Sequence, residues 1–328
     1  ARSGLGEFTA GDGRRELYDM RLGAASERGG ALLEASYAKQ DGLLGADRAV
    51  SSVPLPGFDP HDVRAGASST TPFGRFRFFV PGAPVPPDRV LIPGRTGTST
   101  SDFRPYDARV DGFNTAAGGN LLAPVEQTAL RAAGNYALFD GVTARFSALA
   151  SERRSEQRLA PALVLLGLVA PDSILRAVDL AASAYNPYRA PVRLAQFRPS
   201  DEDRVFAQDT DTVVFDAGLD GELSLLDRTW HWRLGWRDAD RERADITTGF
   251  FDNARLALDL GPSFRAADGV VRCGTAQSPI ADCVPINVLG GPGGFTAAMR
   301  DYAGVVSQSS LASSQTQYLA GIDGALAD

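Results

Sequence analysis

The sequence predicts an all-β protein: part of an antiparallel up-and-down transmembrane β-barrel of about seven or eight strands, with long loops. Two observations support this fold class. Several segments alternate large apolar residues with polar or small ones, which gives a strand one apolar face and one polar face. Short and very long connections also follow each other in turn along the chain, which is typical of membrane barrels.

The clearest alternation lies in residues 228–242, RTWHWRLGWRDADRE, which contain all three tryptophans of the chain. One face of such a strand carries Trp230, Trp232, Leu234 and Trp236, and the other carries His231, Arg233, Gly235 and Arg237. The alternation recurs in residues 29–40, 141–153, 211–223 and 317–326, and less cleanly in residues 15–26 and 126–139.

The direction of the two faces separates a membrane barrel from a soluble β-sandwich. A sandwich buries the apolar face, whereas a barrel in lipid turns it outward and keeps the polar face inside. The barrel interpretation predicts that the lipid side carries Val142, Phe146, Val213, Phe215, Trp232, Leu234 and Trp236. It predicts that the lumen side carries Arg145, Asp216, His231, Arg233 and Arg237.

Connection lengths favour the barrel. Tight turns are predicted at residues 26–30, 139–141 and 225–228, and Asp140-Gly141 is a strong hairpin signal. Long loops are predicted at residues 41–124, 157–204 and 240–314, all within one barrel domain that spans residues 1–328. A hairpin returns the chain to its starting side, so we expect all tight turns at one end of the sheet and all long loops at the other.

The loops contain further predicted features. Apolar spacing predicts short helices within residues 170–183 and 293–305, the second capped near Thr296. Function commonly lies on loops above a rigid scaffold. The candidate ligand contacts are therefore the loop aromatics Phe58, Phe76, Phe103, Tyr106, Tyr185 and Tyr188.

Composition excludes several classes of function. The net charge of −7 argues against a nucleic-acid partner. There is no apolar run of about 18 residues, so no transmembrane helix is expected, and the N-terminus does not resemble a signal peptide. GGPGG (290–294) lacks the lysine of a phosphate-binding loop, and no nucleophile elbow or paired-histidine motif occurs. We predict no catalytic residue, no metal site and no cofactor, and do not expect an enzyme.

The only two cysteines, Cys273 and Cys283, are ten positions apart in CGTAQSPIADC. A metal site needs three or four ligands, and no histidine or further cysteine is near them in sequence. A local disulfide in an oxidising compartment is the preferred interpretation. The alternative is a pair of free thiols in a cytosolic loop.

Several stretches taken together resemble the TonB-dependent receptors of the bacterial outer membrane. STTPFGRFRF, TSTSDFRPYD and NLLAPVEQTALRAAGNYAL resemble the first long barrel loop of one large subgroup and the strand that follows it. SAYNPY (183–188), DTVVFDAGLDGEL and WHWRLGW resemble later parts of that barrel. The most specific stretch is CGTAQSPIADCVPINVLGGPGGFTAAMRDY, which resembles a cysteine-bracketed loop, a glycine-rich turn and a short helix.

The resemblance implies an outer-membrane transporter in a Gram-negative bacterium, in contact with outer-membrane lipid. It implies energy coupling through the TonB–ExbB–ExbD complex and a scarce or bulky solute such as a siderophore, cobalamin or a glycan. The family's plug domain and TonB box are not recognised here, and its barrel has 22 strands. The chain therefore resembles part of such a barrel. The alternative is a soluble all-β ligand-binding module, lectin-like, with its tryptophans in a core.

Overall fold

A computed structural model describes residues 1–51, 66–79, 82, 86–166, 175, 178, 180–199, 201–225 and 228–324. In chain order the strands are β1 (Arg2–Gly6), β2 (Arg15–Ser26), β3 (Gly29–Gln40), β4 (Leu43–Leu44), β5 (Arg75–Phe78), β6 (Arg89–Leu91), β7 (Phe103–Pro105), β8 (Asn120–Leu122), β9 (Val125–Phe139), β10 (Val142–Leu159), β11 (Val164–Leu166), β12 (Val192–Phe197), β13 (Arg204–Leu225), β14 (Arg228–Phe251), β15 (Ser263–Arg265), β16 (Val271–Cys273) and β17 (Gly304–Gly324). The α-helices are α1 (Ala108–Asp111), α2 (Asn253–Asp259) and α3 (Ala297–Ala303).

Eight strands form one large sheet in the spatial order β1-β2-β3-β9-β10-β13-β14-β17. Every neighbouring pair is antiparallel and follows chain order. The predicted all-β class and the antiparallel meander are therefore confirmed. The described part of the sheet is open, since β1 and β17 are its two edges.

Tight turns join β2 to β3 and β9 to β10 at one end of the large sheet. At the same end β13 and β14 are paired as far as Leu225 and Arg228, and residues 226–227 of the turn predicted there lie outside the described residues. In the turn between β9 and β10, Gly141 has a φ of 76°, a conformation that favours glycine. The long connections leave from the opposite end, as predicted. This segregation follows from the hairpin order, because each turn sends the chain back to the side on which the long connections begin.

Two of the three long connections are shorter than predicted. The first matches residues 41–124, but the second is 160–203 rather than 157–204. The third is 252–303 rather than 240–314, because β14 continues to Phe251 and β17 already begins at Gly304. The extra strand residues are mainly polar on both faces, so they lack the apolar alternation by which strands are recognised in sequence.

The predicted helix at 293–305 is confirmed as α3, and the Thr296 side chain caps it by accepting a hydrogen bond from the Met299 amide. Most of the predicted helix at 170–183 lies outside the described residues. Its described end, Leu180–Ala182, is a 3-10 turn.

The three long connections fold together into one unit, which we call the cap. Two strands of the second connection and three of the first form one five-stranded sheet, in the order β11-β12-β5-β6-β7, and β12 pairs with β5 where the two connections meet. The third connection supplies α2 and α3 to the same hydrophobic core. The core includes Phe76, Phe78, Leu91, Phe103, Val164, Leu166, Leu180, Phe197, Leu256, Leu260, Leu289 and Met299.

The core of the described chain lies in the cap and its junctions with the sheet. None of its buried hydrophobic residues belongs to the eight strands of the large sheet. The large sheet therefore has no apolar interior of its own on either face.

Candidate functional site: the two faces of the large sheet

Strand register defines two opposite faces of the large sheet. Ser147 pairs with Asp216, which pairs with Arg237, so these polar side chains lie on one face. One residue earlier on β10, Phe146 pairs with Ala217, which pairs with Trp236 on the other face. The apolar residues predicted from the sequence therefore lie on the same face of neighbouring strands.

The apolar face is exposed. Tyr318 on β17 is 83% exposed, and large apolar side chains on the preceding strands also remain in the open. The exposed residues of this face include Tyr18, Met20, Leu22, Leu33, Leu130, Tyr136, Phe146, Val213, Phe215, Leu223, Leu234, Trp236, Tyr318 and Ile322. We call this set the apolar band. Val142 and Trp232 lie on the same face and are partly exposed.

The polar face is concave. A cavity of about 1280 Å³ extends along it from Gly23 on β2 to Gln317 on β17. The lining of this cavity includes four of the five residues predicted to face a lumen, Arg145, Asp216, Arg233 and Arg237. It also includes Phe146, Leu234 and Trp236, which by strand register lie on the opposite face. The fifth, His231, lies on the same face nearer the tight turns, with its Nδ1 3.4 Å from Glu222 Oε1.

Charges on the concave face are paired across strands. Arg145 Nε lies 2.6 Å from Asp220 Oδ1. Asp216 accepts a hydrogen bond of 3.0 Å from the Ser147 hydroxyl and lies 3.7 Å from Arg237 Nε. These contacts pair opposite charges between neighbouring strands on the concave face.

The cap-side border of the apolar band crosses the strands obliquely. On β3 the apolar face extends beyond the band to Tyr37, which is partly exposed and which we take as the border there. Its row of paired residues reaches Glu242 on β14 and Ala312 on β17. On β17 the border residue is Tyr318, about six positions from Ala312. The border thus moves about 20 Å along the strands while it crosses about 24 Å of sheet, so it makes an angle of about 40° with the row of paired residues.

Two of the predicted ligand contacts are wrong. Phe76 is fully buried and Phe103 is buried beside it, so both build the cap core instead of meeting a solute. Their apolar side chains lie at the sheet-to-helix contact, where three connections exclude water. Phe58 lies outside the described residues.

The three tyrosine candidates are partly exposed. Tyr188 stacks on Phe78 with ring centroids 3.9 Å apart, and its hydroxyl donates to the Thr100 carbonyl oxygen. Tyr106 lies under the Arg75 guanidinium at 4.7 Å. Burial raises the pKa of Tyr106, Tyr185 and Tyr188 above the usual phenol value. The cap therefore uses these aromatics chiefly for its own packing.

The cap also contains a disulfide between Cys273 and Cys283, whose Cα atoms are 5.9 Å apart. Beside it lies Asp259, the last residue of α2, which is 2% exposed and has Oδ1 3.5 Å from Cys283 Sγ. Burial raises the pKa of Asp259 to about 8, and nearby Arg255 opposes that rise only in part. The carboxyl is therefore largely neutral at pH 7.

Sequence reasoning missed Asp259 and a second buried charge, Arg198. The Arg198 guanidinium donates to the carbonyl oxygens of Thr70 and Pro161 and lies 4.8 Å from the Phe113 ring centroid. It thereby joins the first connection to the second. Burial lowers its pKa to about 10. Neither residue carries a local sequence signal, because both depend on contacts between separate connections.

Within the described ranges, no helix is long and apolar enough to cross a membrane.

Comparisons with known proteins give little guidance. No protein-family model matches the sequence. No curated protein matches it either. Among solved structures, the chain is similar to the crystal structure of BauA, the ferric preacinetobactin receptor from Acinetobacter baumannii, with 12% identity and a TM-score of 0.36. The match covers 95% of this chain and 36% of that chain. At this level of similarity, function has to be argued from the geometry.

Proposed function

We propose that the large sheet is part of the wall of a transmembrane β-barrel in the outer membrane of a Gram-negative bacterium. The protein would act there as a TonB-dependent receptor that takes up a scarce or bulky solute, such as a siderophore, cobalamin or a glycan. One observation carries the proposal: the apolar face of the sheet is exposed, while its polar face lines a cavity.

The exposed apolar band is the surface that a lipid environment would stabilise. A typical water-soluble monomer exposes apolar patches of only a few hundred square ångströms. The band instead runs across seven strands, from Tyr18 on β2 to Ile322 on β17. Each square ångström of apolar surface that lipid removes from water contributes about 25 cal/mol, so contact with acyl chains stabilises this face.

The obliquity of the band supports the same environment. Strands of outer-membrane barrels tilt by about 35–45° from the membrane normal. A band parallel to the membrane plane must then cross the strand register at the same angle. The border between Tyr37 and Tyr318 does so at about 40°. In lipid the free edges of β1 and β17 need neighbouring strands, because unpaired backbone groups are costly there.

A transport role follows from the arrangement around the wall. The polar concave face would line the lumen, and the cap at the end opposite the tight turns would face the exterior. Outer-membrane barrels place their long loops outside and their short turns in the periplasm. Uptake of a scarce solute against its gradient needs energy, for which we propose coupling to TonB–ExbB–ExbD.

Tryptophan fluorescence tests the membrane placement, because all three tryptophans of this chain lie on the apolar face of β14. In vesicles with brominated acyl chains, we expect strong quenching of a variant that keeps only Trp236. The matched control replaces all three tryptophans by phenylalanine and carries Gln317→Trp on the concave face, and it should be quenched weakly. Equal quenching of the two, or a chain that stays monodisperse without detergent, would instead favour a soluble lectin-like module.

A further inference from the structure

On the cap side of the apolar band, the concave face carries three arginines on two strands: Arg153 on β10, and Arg241 and Arg243 on β14. The strand between them is β13. Its Thr210 lies directly opposite both Arg153 and Arg243, and its Thr212 lies opposite Arg241. Neighbouring strands are about 4.8 Å apart, so the long arginine side chains can meet above the two threonines.

Two buried polar atoms in this cluster lack a partner. Thr210 is 7% exposed, and its hydroxyl has no hydrogen-bond partner among the described residues. Arg243 Nε is buried and likewise unpartnered, although its Nη2 lies 2.8 Å from Asp245 Oδ2. Buried donors without acceptors are rare in folded proteins, so the pair indicates a missing acceptor at this point.

The positive charge at this level of the concave face is also only partly compensated. Arg153 donates only to the Ser155 hydroxyl, and Arg241 forms no ion pair in the part of the chain that the structure describes. The one carboxylate of the cluster, Asp245, is already bound by Arg243, Gln208 and Ser309. Guanidinium groups on both sides of Thr210 repel one another unless an anion lies between them.

The opposite face of the sheet shows the reverse charge. Glu152, Asp211 and Glu242 form one row of cross-strand neighbours there. Their side chains point away from the cavity, so they offset the positive charge at a distance but supply no acceptor to Thr210 or Arg243. The concave face is thus the side on which an anion can reach the arginines.

We propose that Arg153, Arg241 and Arg243, with the Thr210 hydroxyl, bind oxyanions, and that the solute taken up carries two or more carboxylate or phosphate groups. Arginine forks pair with two oxygens of such groups at once. The statement about the solute rests on the proposed function, because the cluster would contact a transported solute only if the concave face lines the lumen. The anion site itself rests on the register and the unpartnered atoms.

Pyrophosphate is a suitable probe, measured by calorimetric titration of the detergent-solubilised chain. We expect saturable binding that Arg241→Gln weakens about ten-fold or more, the effect of losing one charged hydrogen-bond donor. Among the described residues, Arg241 has no side-chain hydrogen bond or ion pair that this substitution would remove. The matched control is Arg154→Gln, which removes the same charge from the opposite face of β10 and should leave affinity unchanged. Thr210→Val should weaken binding while the fold is retained.

Absence of saturable pyrophosphate binding would overturn the anion site. Equal weakening by Arg241→Gln and Arg154→Gln would overturn it too, because it would indicate attraction by net charge alone. The two proposals can fail separately. Binding that persists in a chain whose Trp236 is not quenched by brominated lipid would keep the anion site and reject the membrane receptor, whereas quenching without binding would do the reverse.

Discussion

A pair of leucine substitutions offers a direct test of which face meets lipid. Leu234 lies in the apolar band on β14, and Leu319 lies on the concave face of the adjacent strand β17. The two side chains are 50% and 57% exposed. Arginine at each position therefore makes the same chemical change at similar exposure, one strand apart and on opposite faces.

The expected costs differ in size. Arginine in the lipid-facing middle of a barrel costs about 2–4 kcal/mol. An exposed surface substitution in water usually changes stability by less than about 0.5 kcal/mol. Leu319 also lies opposite Gly235, which has no side chain to crowd a longer residue. We expect Leu234→Arg to lower the free energy of unfolding in vesicles by about 2–4 kcal/mol, and Leu319→Arg to change it little.

Denaturant titration in lipid vesicles measures both variants, with the β14 tryptophans as the signal. A difference of about 3 kcal/mol corresponds to a change of more than a hundred-fold in the folding equilibrium, which such titrations resolve. Equal effects of the two substitutions would refute the assignment of faces. A larger loss for Leu319→Arg would reverse it.

The other predictions concern the cap. The pKa of Asp259 is raised from 3.8 to about 8, so the stability that its neutral carboxyl contributes is present below about pH 4 and is lost as the pH rises through about 8. Asp259→Asn should remove this pH dependence, whose upper limit is on the order of 5 kcal/mol. The measurement is the urea midpoint at pH 6 and at pH 9. An equal fall of the midpoint between these pH values in the wild type and in the variant would contradict the prediction. Serine at both Cys273 and Cys283 should destabilise the cap by about 2–3 kcal/mol, and hydrogen exchange should then rise in α2 but not in the tight hairpins. Arg198→Leu leaves buried carbonyl oxygens without donors, for which we expect a loss of about 2–4 kcal/mol in thermal unfolding, and full rescue by Arg198→Lys would argue against the guanidinium geometry.

The sequence contained most of the information about the large sheet. Strand positions and faces could be predicted because the alternation is local and uninterrupted, as in Trp230 to Trp236. Hairpin order followed from connection lengths. The polar ends of β14 and β17 could not be predicted, since a strand with polar residues on both faces has no two-residue period.

The cap core and the arginine cluster could not be predicted from the sequence, for a different reason. Phe76 and Phe103 were expected to meet a ligand because they lie in long connections. Their burial depends on strands from two connections that are far apart in sequence and meet in one sheet. Arg153, Arg241 and Arg243 each looked like ordinary polar-face residues. Only the register of β10, β13 and β14 brings them around Thr210.

The distribution of buried residues bears on the choice between a membrane wall and a soluble module. A soluble sandwich needs a second apolar layer against the face that carries Phe215 and Trp236. In the described residues the apolar side chains that could form such a layer are already packed inside the cap, around Phe76 and Phe197. The apolar side chains of the cap pack against one another. The cap lies at one end of the strands, and their apolar face remains exposed. Within the described residues nothing covers the band, which agrees with the lipid contact proposed for it, since an acyl-chain layer is apolar along its whole height.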